Sequence, residues 1–202
     1  LLISRESTPG SSHRVRGYLM VSTMPTETYL SLLLREFRGI KQLADGAMAQ
    51  VGDEAFFAQP GPEDNSIAII VKHVGGNLLS RWTDFLTSDG EKPNRDRDAE
   101  FLLSPDDTRA RLMATWESGW QTLYANLEPL GDADMSRIVK IRGEGLTVLQ
   151  AVNRQLTHYA YHAGQIVYVA KHLRGAAWKS LSIPKGQSVQ FNQSGRKYIE
   201  PV

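Results

Sequence analysis

The stretch "LTVLQAVNRQLTHYAYHAGQIVYVAKHLRG", residues 146–175, decides the fold. Its apolar residues Val152, Leu156, Tyr159, Ala163, Ile166, Ala170 and Leu173 recur at helical spacing. Gly175 stands where a helix ends on a glycine cap. The run therefore predicts one long helix from about Leu146 to Arg174. Beside the apolar stripe, roughly 90° round the helix, runs a polar one: Gln155, His158, His162 and Gln165. It borders the core and does not lie on the opposite, solvated face. His158 and His162 stand at i and i+4, about 40° apart and about 6 Å along the axis, so they can share one ion. Spacing alone admits two readings: a pair of metal ligands, or two structural rings at the edge of a helical core.

Three more helices are predicted upstream. The first spans about Thr26 to Val51, with Thr26 as N-cap and Tyr29, Leu33, Phe37, Ile40 and Ala44 at helical spacing. The break "AQPGPEDNS" follows, and Asn65 or Ser66 caps a second helix of about Ile67 to Thr87. Its apolar stripe is Ile67, Ile70, Val74, Leu78 and Phe85, flanked by Val71 and Trp82. Gly75 and Gly76 lie inside it at a cost of about 1 kcal/mol each relative to alanine. Close approach of another helix, or a kink, would explain them. In "SPDD", Ser104 caps a third helix and Pro105 takes its first position; the helix runs to about Leu127. Leu112, Trp116, Trp120 (or Gly119) and Leu123 face inward.

The connections are uneven. Residues 88–104 are charged, and "NRDRDAE" within them reads as a solvated, self-paired loop. In "SRIVKIRGEG", Val139 and Ile141 alternate with Lys140 and Arg142, which fits a short hairpin strand or an extended linker. Residues 1–24 lack periodicity and read as an irregular extension, with the folded domain starting near Met24. Residues 176–202 form a tail packing partly through Trp178, Leu181, Ile183 and Phe191. The expected fold is all-α, a four-helix bundle over residues 25–175, and its longer second and third connections leave room for a crossover.

Composition narrows the chemistry. The chain has 202 residues, 41% of them hydrophobic, enough for one domain with a substantial core. Its 23 basic and 22 acidic residues give a net charge of +1, which offers no argument for nucleic acid or an anionic membrane as partner. The absence of cysteine excludes disulfides, thiolate catalysis by the chain and Cys-based zinc sites. No apolar run approaches the roughly 20 residues of a membrane span. A cytoplasmic protein is expected.

Catalytic zinc usually takes three protein ligands plus water. His172 lies about 15 Å beyond His162 on the same helix and cannot join the pair. His13 falls in the irregular extension. His73, flanking the apolar stripe of the second helix, is the sensible third histidine, though a lone histidine there also reads as a buried structural ring. Asn77 is either a ligand-orienting amide or a surface one, and Gln155 and Gln165 read as hydrogen-bonding side chains. Tyr161 flanks His158 and His162. Binding to such rings is expected to fade as pH falls below the roughly 6.5 of free imidazole.

"HVGGNL", residues 73–78, followed by "HYAYHAGQI", residues 158–166, resembles the DinB-like (YfiT-type) superfamily, in particular an uncharacterised bacterial subfamily. The resemblance covers about residues 25–175. It implies a four-helix bundle in which His73, His158 and His162 bind a divalent metal, with Gly164-Gln165 as the trailing dipeptide. The metal would be zinc or nickel first, with iron, manganese or copper also compatible with imidazole ligands. It further implies a metal-dependent small-molecule enzyme, a thiol S-transferase using a low-molecular-weight thiol, or a hydrolase. A non-catalytic metal-binding or stress-associated protein is the alternative. Asn77, Tyr161, Gln155 and Gln165 are then candidates for contacting substrate or bracing the ligands. A homodimer with a small-molecule ligand is expected.

Overall fold

A computed structural model describes residues 28–194. Thr26, His13, Met24 and the whole 1–24 extension lie outside the described residues. Among the described residues the chain is mostly helical, with six α-helices and one pair of strands.

Four helices are long. α1, Tyr29–Met48, starts at Thr28, whose hydroxyl accepts from Ser31 N at 3.1 Å. A five-residue helix follows, α2, Asp53–Phe57. α3, Ile67–Trp82, is capped by Ser66, one of the two predicted caps. It ends five residues short of the predicted Thr87, because Thr83 is extended and Asp84 takes φ 48°. Phe85 is buried nonetheless. α4, Arg109–Leu127, is capped by Thr108, not by Ser104. The reason is Asp107, whose carboxylate accepts from Ser104 N at 2.8 Å and Ser104 Oγ at 3.0 Å, folding residues 104–107 into a separate turn. Lys72 holds the same carboxylate at 2.7 Å.

Between α4 and the last long helix lies a β-hairpin. β1, Ile138–Ile141, pairs antiparallel with β2, Glu144–Thr147. Arg142 and Gly143 both have positive φ, 58° and 77°, the two-residue turn whose twist matches that of paired strands. Asp89 fixes this turn, its carboxylate accepting from Arg142 N at 2.8 Å and Gly143 N at 2.6 Å. Of the two readings of this segment, the strand is the one realised. α5, Val148–Arg174, begins with a reciprocal cap between Thr147 and Gln150 and ends at Gly175. α6, Ser188–Gln193, lies in the tail, of which Trp178 and Leu181 pack on the core.

α3 packs chiefly on α4, and α1 chiefly on α5; α3 also touches α5. Glycine allows the close approach of α3 and α4. A Cβ on Gly119 would meet Leu78 Cβ at 2.7 Å, and one on Gly75 would meet Thr115 Cγ2 at 3.1 Å. The predicted stripes of α3, α4 and α5 are buried, with only Leu156 and Leu173 of α5 half-exposed. Each long helix gives an aromatic ring to one cluster. Phe37 of α1 lies 6.4 Å from Trp82, 6.4 Å from Trp120 and 6.1 Å from Tyr159. No described helix is long and apolar enough to cross a membrane.

Candidate metal centre

Position 73 falls in the middle of α3, and positions 158 and 162 one turn apart on α5. Where these helices touch, the three rings converge. One ligand nitrogen from each lies within 4.8 Å of the other two. His158 Nε2 is 3.4 Å from His73 Nε2 and 3.2 Å from His162 Nε2. His73 and His162 are buried, His158 half-buried.

The opposite ring nitrogens determine which atom carries the proton. His73 Nδ1 donates to Glu100 Oε2 at 2.8 Å, since an ionised carboxylate only accepts. His162 Nδ1 donates to Gln165 Oε1 at 2.8 Å, and Gln165 Nε2 in turn reaches Tyr161 Oη at 3.1 Å. Both rings thus keep their Nε2 lone pairs for the point they share with His158. Lone pairs this close repel unless a cation or a proton stands between them. His158 Nδ1 is buried without a hydrogen-bond partner, so His158 is the least braced of the three.

His158 and His162 resist protonation. Burial, then the neighbouring His162 and His73, lower His158 to about 3. Burial also lowers His162 to about 4, against the opposing hydrogen bond to Gln165. Neutral imidazole is the form that binds a metal. The donor set and its proton arrangement therefore fit a divalent ion. An exposed Tyr161 packs 4.9 Å from His162 between ring centroids, and Phe101 packs 4.7 Å from His73.

Residues 25–187 match the model of a family described as a protein of unknown function, DUF1572. The chain belongs to this family. No curated protein matches it.

In this DUF1572 member the candidate residues divide into two groups. Gln165 and Tyr161 join the histidines directly, as above. Asn77 and Gln155 do not; both are buried one layer below. Gln155 Nε2 donates to Asn77 Oδ1 at 2.7 Å, Tyr159 Oη donates to the same oxygen at 3.1 Å, and Trp82 Nε1 donates to Tyr159 Oη at 3.0 Å. That network satisfies polar groups inside the core. Asn77 is thus not the surface amide that was one of its two expected readings. His172 is exposed on the last turn of α5.

Glu100 is the residue that sequence reasoning missed. It stands in "NRDRDAE", expected to be a solvated loop, yet it is 7% exposed. Arg95 grips it with Nε on Oε1 and Nη2 on Oε2, both at 2.8 Å. Glu91 bonds Arg95 at 3.4 Å and is itself bonded by Arg81 at 2.8 Å and by Arg142 at 3.2 Å. Burial pushes the Glu100 carboxyl up, but the bonds from His73 and Arg95 outweigh it and hold it below the usual carboxylate range. The legible trace was Gly76, whose missing side chain leaves room for the Glu100 carboxylate.

Proposed function

We propose that this protein is a divalent-metal-binding, DinB-like protein that acts as a small-molecule enzyme of the thiol S-transferase or hydrolase kind. The observation that carries the reading is the convergence of three ligand nitrogens within 4.8 Å, two of them with their opposite nitrogens already engaged. The ligand order supports the DinB-like assignment: one histidine on α3, then H-x-x-x-H on α5. Four long helices packed as two pairs suit the four-helix bundle of that superfamily.

His73, His158 and His162 would hold the ion, and nitrogen donors suit zinc or nickel, with iron, manganese or copper also compatible. When bound, such an ion stabilises a thiolate or hydroxide at neutral pH. The chain has no cysteine, so a thiol would come from a low-molecular-weight cosubstrate. Glu100 and Gln165 hold two of the rings in orientation. Tyr161 and Phe101 give the site an aromatic rim. Beside Gln165 and Tyr161 lies a groove of about 500 Å³, bounded also by Ile70, Asn65 and Tyr168, with room for a small substrate. A cytoplasmic homodimer completes the reading.

The test is metal analysis of protein purified without chelators, then a conjugation screen with several thiols and a chlorinated nitroarene, with and without chelator. The expected result is one divalent ion per chain and chelator-sensitive turnover. No stoichiometric metal rejects the reading. Bound metal with no turnover, of these or of ester substrates, makes the protein a non-catalytic metal binder.

A further inference from the structure

We propose that Glu100 is the positioning residue of this centre. By accepting from His73 Nδ1 it keeps His73 Nε2 unprotonated and aimed at the point shared with His158 and His162. The consequence for metal affinity rests on the function proposed above; the proton assignment on His73 does not.

His73 needs such a partner more than the other two ligands do. His158 and His162 share one helix, so their mutual geometry is local. His73 comes from another helix, 85 residues earlier than His158. Its ring must be turned by something outside α3. The contact that does so is a buried carboxylate at 2.8 Å from Nδ1. Glu100 is not itself a ligand. It bonds the nitrogen on the far side of the ring and is not among the groups whose ligand atoms converge. A carboxylate behind a metal-binding histidine fixes the tautomer and the ring plane.

A bare carboxylate in this position would be costly, and the fold supplies its counterion. Arg95 takes both oxygens, the paired geometry in which guanidinium and carboxylate bind best. Arg95 is held by Glu91, and Glu91 by Arg81 of α3 and Arg142 of the hairpin turn. The carboxylate is therefore tied to a chain of charges that begins and ends on rigid elements. Gly76 completes the arrangement. A Cβ there would meet Glu100 Cδ at 2.9 Å and its nearer oxygen more closely still. Glycine sits mid-helix at a cost of about 1 kcal/mol relative to alanine, in the space the carboxylate uses.

Two measurements test the proposal. The first uses metal-free protein and reads the imidazole protons by long-range ¹H–¹⁵N correlation, with His73 assigned by its loss in His73→Ala. The wild type is expected to show His73 protonated at Nδ1, and Glu100→Ala to lose that preference. A wild-type His73 protonated at Nε2, or one unchanged by Glu100→Ala, overturns the proposal. The second is zinc affinity by chelator competition in wild type, Glu100→Ala, Glu100→Gln and Gly76→Ala, each repeated on the His73→Ala background. Glu100→Ala is expected to weaken zinc by about 10–100-fold. Glu100→Gln, which keeps an acceptor oxygen, should lose less. Gly76→Ala should weaken zinc although it favours the helix. None of the three should cost anything further once His73 is gone. An equal loss on both backgrounds, or wild-type affinity in Glu100→Ala, overturns the proposal. Circular dichroism checks each fold. If Glu100→Ala unfolds by stranding Arg95, Glu100→Gln and Gly76→Ala decide the matter. If the wild type takes no zinc, the metal-binding reading fails on its own and the proton assignment decides this one.

Discussion

Acidification offers a quantitative test of the histidine environment. An imidazole with the ordinary pKa of about 6.5 is protonated about 30-fold over neutral at pH 5, so two such ligands would cost about a 1,000-fold loss of metal affinity. His158 and His162 differ from that case. Burial and their neighbours hold them at about 3 and about 4. At pH 5 a ring at about 4 is only about one-tenth protonated, and a ring at about 3 about one-hundredth. Proton competition at these two rings is then negligible down to pH 5. The onset expected from free imidazole near pH 6.5 shifts down by two units or more. The assay is zinc or cobalt affinity between pH 7.5 and 5, by calorimetry or by competition with a chelator whose own protonation is corrected. Circular dichroism at each pH confirms that the fold persists. The logarithm of affinity should fall by less than one per pH unit across pH 6.5–5.5. A slope of about 1.5 or more would mean that these rings titrate as free imidazole and would refute the reasoning.

The same depressed values act on the metal-free fold with the opposite readout. An unfolded chain binds protons at these rings from about pH 6.5 and the folded chain only near 4 and 3, so the melting temperature should fall steadily from pH 6.5 towards 4. Adding metal at 1,000 times its dissociation constant should stabilise the fold by about 4 kcal/mol, read as a rise in melting temperature that chelator reverses. Phe37→Ala empties the place where rings from all four long helices meet and should cost about 3–5 kcal/mol in urea unfolding. Gly143→Val puts a β-branched residue at φ 77° and should lower thermal stability measurably. His172→Ala, on an exposed last turn, should leave metal affinity unchanged.

Periodicity made α5 legible, because its buried face repeats without interruption from Val152 to Ala170. The same pattern placed His158 and His162 at the border of the core, where they lie. Helix ends were harder: "SPDD" points to Ser104 as the cap of α4, whereas the structure caps it at Thr108, because Asp107, which Lys72 of another helix holds, folds Ser104 into a separate turn. Glu100 was illegible for a related reason. Glu100 is one of three carboxylates in residues 94–100 and carries no period, and its partners Arg95 and His73 are set by tertiary contact. Gly75 and Gly76 suggest the close approach of another helix or a kink; Gly75 does lie against α4, while Gly76 makes room for the Glu100 side chain.

The two helix pairs, α3 with α4 and α1 with α5, meet along a seam, and the histidines straddle it. His73 belongs to one side, His158 and His162 to the other. A bound ion would therefore be a latch between halves, closing a loop of 85 residues in a chain that has no cysteine for any permanent rivet. A fixed cross-link over a loop of that size removes about 4–5 kcal/mol of unfolded-chain entropy. A metal latch would do the same only while the ion is held, so amide exchange on α3 should slow on loading and quicken on stripping. The protein's stiffness would then follow the supply of metal around it.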